Sequence, residues 1–110
     1  MAELGTLDRL VALIAARRIA DADTSYTRQL LDSGPERCAK KFGEEAVEAV
    51  IAAIQAEPKA LRAEAADVLY HLLVLLESRD IQFADVLAEL DARMGTSGLA
   101  EKAARAKGVA

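Results

Sequence analysis

The 110-residue chain is 53% hydrophobic and 29% charged, a balance that suits one folded domain and excludes disorder. Its apolar residues are mostly alanine, leucine and valine, aromatics supply only 4% and tryptophan is absent, so helices are favoured over strands. The net charge of −4 argues against a general nucleic-acid binder, yet it admits a small anionic substrate if a metal or local cations reverse the sign.

Thr6 is predicted to cap a first helix reaching about Ile19, with Leu7, Leu10, Val11 and Ile14 on its apolar stripe. Arg17 and Arg18 suit the negative end of that helix's dipole. Asp21 to Gly34 reads as a polar connection holding a short helical piece near Tyr26 to Leu31. Pro35 opens a helix to about Ala56, and Pro58 opens another to about Ser78. A further helix is expected from Phe83 to Arg93, then a polar turn at Gly95-Thr96-Ser97-Gly98, and a last short helix over Leu99 to Lys107. The expectation is a single all-α domain over 1–110, a four- to five-helix bundle.

Cys38 is the only cysteine, which excludes an internal disulfide or a cysteine-built zinc site, and it reads as small core filler. No signal peptide is expected, because no basic segment precedes an apolar one at the N-terminus. The longest uncharged apolar stretch, Val68 to Leu76, is too short to span a bilayer. A reducing cytoplasm is the expected location, with no nucleic-acid or membrane partner. From Ala65 to Leu76 the Pro58 helix is apolar nearly all round, interrupted only by Asp67, Tyr70 and His71. Such a helix must be covered on several sides, so part of it is expected in a homodimer interface.

Chemistry concentrates on these two long helices. Glu45 and Glu48 are three residues apart, as are Glu64 and Asp67, so each pair shares one face of its helix. Across an antiparallel connection the two pairs would supply four carboxylates, suited to hard cations such as Mg²⁺ or Mn²⁺. A solvated acidic face explains Glu44, Glu45 and Glu48 alone, but not Asp67, which precedes Val68-Leu69 in the most apolar helix and is expected to be buried. Arg37, Lys40, Lys41, Glu44 and Glu48 follow one helical stripe. The cations there either bind phosphate beside the metal or pair with neighbouring acids, as Lys40 with Glu44. Arg28 and Tyr26 are weaker candidates for contacts to phosphate and base. His71, one turn past Asp67, either orients an acid or touches substrate, or is a core histidine with one hydrogen bond. No Ser-His-Asp set, glycine-rich phosphate loop or cysteine pair is present.

The acid pairs resemble the metal signature of the MazG-like all-α nucleotide pyrophosphohydrolases. The flanking segments narrow this: Ser25-Tyr26-Thr27-Arg28, Gly34-Pro35-Glu36-Arg37-Cys38-Ala39-Lys40-Lys41, Gly43-Glu44-Glu45-Ala46-Val47-Glu48, Glu64-Ala65-Ala66-Asp67-Val68-Leu69-Tyr70-His71-Leu72-Leu73, and Arg93 with Gly95 to Gly98. Over roughly Leu7 to Arg105 the chain is similar to the phosphoribosyl-ATP pyrophosphatases of histidine biosynthesis. The resemblance implies an ATP-derived substrate, phosphoribosyl-ATP, hydrolysed to phosphoribosyl-AMP and pyrophosphate, in a helical dimer or an assembly built from one. A fused cyclohydrolase would need metal-binding cysteines, so the stand-alone enzyme is expected. By this reading Glu45, Glu48, Glu64 and Asp67 hold the metal, and Glu44 is a further ligand, an orienting group or the base. Arg37, Lys40, Lys41 and Arg28 hold phosphates, with Lys102 and Arg105 as further contributors. The competing readings are a pyrophosphohydrolase for ordinary or damaged nucleoside triphosphates and, from another class, a non-catalytic helical interaction module.

Overall fold

The computed structural model describes residues 5–95 and Arg105. In chain order it contains α1 (Thr6–Ala16), a 3₁₀ turn (Arg17–Ile19), α2 (Tyr26–Ser33), α3 (Pro35–Ile54), α4 (Pro58–Ser78) and α5 (Phe83–Met94), and no strand among the described residues. The all-α architecture with five helices is as expected. The polar turn after Gly95, Lys102 and most of the expected last helix lie outside the described residues, although Arg105 is helical.

Helix starts follow local chemistry. Pro35 and Pro58 stand in the first turn of α3 and α4, where a missing amide hydrogen has no helical partner to lose. The Ser25 Oγ accepts from the Arg28 amide at 3.1 Å and caps α2, the short helix expected, which runs on to Ser33. Thr6 is not the cap of α1. Gly5 takes that place, and its amide donates to Asp8 Oδ2 at 3.3 Å.

Helix ends are less visible in the sequence. After α3, Ala56 adopts a left-handed φ of 55°, its amide bonding Ala53 O while that of Glu57 bonds Ala52 O. After α4, Asp80 has φ 56°, with its amide on Glu77 O and that of Ile81 on Leu76 O. Both are Schellman closures made without glycine, which usually fills the left-handed position. The first helix is likewise shorter than expected, because the chain tightens into the 3₁₀ turn after Ala16.

α3 and α4 pack along their lengths across the Gln55-Ala56-Glu57 link, and α1 and α2 close over one side of the pair. Ile14, Leu30, Cys38, Leu73 and Val74 form the buried centre, flanked by Leu7, Leu10, Val11 and Phe83. Cys38 is core filler as expected, its Sγ 3.2 Å from Leu30 O. Arg18 fastens the 3₁₀ turn to the end of α4 through Glu77 at 2.5 Å and Asp80 at 2.8 Å. A row of apolar side chains stays in solvent: Val47, Val50, Ile51 and Ile54 on α3, with Leu61 and Leu69 on α4. The α4 surplus is as expected, whereas the α3 share adds to it. No described helix is long and apolar enough to cross a membrane.

Candidate active site

The middle of α3 supplies Glu45 and Glu48 one turn apart, and the facing stretch of α4 supplies Glu64. One carboxylate oxygen from each lies within 4.8 Å of the others. Asp67 stands one turn beyond Glu64 and outside that triangle, yet its charge reaches both Glu45 and Glu64. Partial burial, reinforced by Glu48 and then Asp67, holds the Glu45 and Glu64 carboxyls above the usual carboxylate range. Among the described residues only Lys41 offsets this, with Nζ 3.8 Å from Glu44 Oε1 and 4.0 Å from Glu45 Oε1. The Glu64 Oε2 is sealed from solvent with no hydrogen-bond partner among the described residues.

A buried carboxylate oxygen without a donor, facing two like charges, is costly unless a cation completes it. All the converging groups are hard oxygen donors, so the set fits Mg²⁺ or Mn²⁺ rather than zinc or copper. Asp67 itself is exposed, contrary to expectation. The covered members are Glu45 and Glu64, because the rotation of α3 against α4 turns them into the helix seam and leaves Asp67 on its rim.

The cations divide unevenly. Lys41, partly covered, sits at the acids, while Arg37 and Lys40 are exposed on α3. The Lys40–Glu44 pair that the spacing allows is replaced by Lys41 with Glu44 and Glu45. Lys40 and Lys41 are adjacent, and only the packing of α3 distinguishes them. Arg28 is engaged elsewhere, at 2.9 Å from Asp32 and donating to Ala20 O at 2.6 Å. It is not among the charges that reach Glu45, Glu64 or His71.

His71 is buried between two tyrosine rings, edge-on to Tyr70 at 4.9 Å and to Tyr26 at 6.4 Å. The single hydrogen bond expected of a core histidine is not made at Nδ1, which is buried without a partner among the described residues. Burial and then the Lys41 charge push the imidazole below its usual pKa, with Asp67 opposing, which favours the neutral ring. Behind it Tyr70 shares a hydrogen bond of 2.5 Å with Thr27, a tie between α2 and α4 that no spacing reveals.

Residues 7–94 match the model of the family described as phosphoribosyl-ATP pyrophosphohydrolase. The chain belongs to the phosphoribosyl-ATP pyrophosphohydrolase family. Among relatives in that family, the phosphoribosyl-ATP pyrophosphatase of Cereibacter sphaeroides is 58% identical over 102 residues, covering 93% of this chain and 99% of its own. That of Dinoroseobacter shibae is 59% identical over 102 residues, 93% of this chain and all of its own. That of Rhizorhabdus wittichii is 60% identical over 104 residues, 94% of this chain and 98% of its own. The converging carboxylates on α3 and α4 therefore lie inside the segment that defines this pyrophosphohydrolase family.

Proposed function

We propose that this chain hydrolyses phosphoribosyl-ATP to phosphoribosyl-AMP and pyrophosphate, with Mg²⁺ (or Mn²⁺) held by Glu45, Glu48, Glu64 and Asp67. Family membership supports the substrate. The observation that carries the chemistry is the acidic triangle, offset among the described residues by Lys41 alone, with its sealed Glu64 Oε2. Bound Mg²⁺ would neutralise phosphate charge and make a coordinated water more acidic.

The protein's own groups do the rest. Lys41, beside the acids, is placed to hold phosphate oxygens, and the exposed Arg37 and Lys40 extend that cationic stripe toward a polyphosphate. Glu44 projects into solvent from the same stripe and takes the proton of the attacking water. Water cleaves the bridge between the α- and β-phosphates, one product carrying its hydroxyl and the pyrophosphate leaving. Glu45 and Glu48 would act through the metal they hold. Arg28, Lys102 and Arg105 remain candidate phosphate contacts, Arg28 only if it leaves Asp32. The apolar row on α3 and α4 is assigned to a homodimer, and a buried free thiol suits a reducing cytoplasm.

Turnover of phosphoribosyl-ATP should exceed that of every common nucleoside triphosphate. Preference for an ordinary triphosphate would instead support a housecleaning role at the same acids. Wild-type turnover by Glu48→Gln or Asp67→Asn at saturating Mg²⁺ would overturn the ligand assignment. A monomer by light scattering at micromolar concentration would remove the dimer.

A further inference from the structure

The acids and lysines address the phosphates of a nucleotide, but none of them suits an aromatic base. An aromatic group does adjoin them. Tyr26, at the start of α2, is 52% exposed and stands edge-on to His71 at an interplanar angle of 87°. His71 itself is only 6% exposed, with a ring nitrogen left unpartnered, a cost the described residues do not recover. It lies one helical turn after Asp67 on α4, and side chains in a helix lean toward the preceding turn. Lys41, in contact with Glu44 and Glu45, also faces this ring electrostatically. His71 thus stands one helical turn past Asp67 and 6.4 Å from the Tyr26 ring.

We propose that Tyr26 and His71 form the subsite for the purine end of the substrate, Tyr26 offering its ring for stacking and His71 a hydrogen-bonding nitrogen. The proposal rests on the nucleotide reading above and adds the place of the base, which the phosphate chemistry leaves open. A half-exposed tyrosine ring is a stacking platform for any purine. A neutral imidazole pairs with a base edge, whereas the cationic stripe of α3 serves phosphate. The Thr27–Tyr70 bond fixes the far side of His71, so the ring keeps its orientation when the near side is occupied.

His71 is the only histidine and Tyr26 one of two tyrosines, so their NMR signals are directly assignable. Full-length ¹³C,¹⁵N-labelled protein is titrated, with Mg²⁺ present, with AMP, with pyrophosphate and with ribose 5-phosphate. AMP is expected to move the His71 imidazole and the Tyr26 ring signals, while pyrophosphate and ribose 5-phosphate leave them in place. In kinetics, Tyr26→Ala should raise KM about tenfold with a far smaller change in kcat, and Tyr26→Phe, which keeps the ring, should recover most of the loss. Equal shifts with AMP and pyrophosphate, or an unchanged KM in Tyr26→Ala, would overturn the subsite. If phosphoribosyl-ATP is not a substrate yet AMP moves both rings, the substrate reading fails and the subsite stands. Efficient turnover of phosphoribosyl-ATP with no response of either ring to AMP removes the subsite and leaves the substrate reading in place.

Discussion

Two charged clusters along α4 obey opposite rules. Where the 3₁₀ turn meets the end of α4, Arg18 is matched by Glu77 and Asp80, and its guanidinium also donates to the Glu77 carbonyl. Halfway along α3 and α4, Glu45, Glu48 and Glu64 converge with Lys41 alone, among the described residues, to offset them. The first cluster sets each acid against a cation at the rim of the fold and holds two elements together. The second leaves like charges facing each other and an oxygen without a donor. Direct contact with an opposite charge thus separates the fastening from the candidate site: in the first each acid meets the cation, and in the second, among the described residues, only Glu45 of the three does.

The sharpest way to break this contrast is to neutralise the unmatched acids. Glu48→Gln and Asp67→Asn should each lower kcat by at least about a hundredfold. Their melting temperatures without metal should equal or exceed that of the wild type, because a repulsive charge is gone. A parallel loss of melting temperature and activity would make the acids structural.

Metal and pH sharpen it next. The carboxyls of Glu45 and Glu64 titrate above their usual 4.5 in the folded chain, so the protonated forms favour folding. Their contribution is fully present below that value and is lost as pH rises through the raised pKa values. Metal-free protein should therefore lose stability between the ordinary carboxylate range and neutrality, a trend that Glu64→Gln flattens. At pH 7, Mg²⁺ at a hundredfold excess over its Kd should restore about 2.7 kcal/mol, read as a rise in Tm. A Tm indifferent to Mg²⁺ would argue against a cation at the acids.

Arg18→Ala tests the other arm. Arg18 is more than a third exposed, so screening limits the loss to about 1 kcal/mol, much of it from the carbonyl contact. Denaturant unfolding should show that loss while kcat stays at the wild-type value. The smallest effect concerns salt: raising NaCl toward about 1 M should shrink the Arg18→Ala difference by a few tenths of a kcal/mol.

How legible each feature is in the sequence tracks how local its signal is. Pro35 and Pro58 mark the starts of α3 and α4 because proline acts through its own missing amide hydrogen. The ends elude the sequence, since Ala56 and Asp80 occupy left-handed positions where glycine would have been the sign. The acid pairs are legible from spacing, which a helix converts directly into a shared face. Which acids the fold covers is not. That depends on how α3 rolls against α4, and it places Glu45 and Glu64 inside and Asp67 at the rim. The same roll puts Lys41 rather than Lys40 at the acids. The exposed apolar row of α3 is also hidden, because Val47, Val50, Ile51 and Ile54 fit an ordinary core-facing stripe until the partner helix is in place.

The short Gln55-Ala56-Glu57 link also bears on the order in which the molecule assembles. It joins the two halves of the site through a hairpin, so bringing Glu48 to Glu64 requires closing only a small loop, with little entropy lost. Contacts of such short range form early, whereas docking α1 against the end of α4 spans most of the chain. The converging carboxylates then belong to the first organised part of the protein, and their mutual repulsion acts on a folding nucleus. Pulse-labelling hydrogen exchange during refolding should find α3 and α4 protected before α1, sooner with Mg²⁺ than without it. Protection of α1 first would reverse that order.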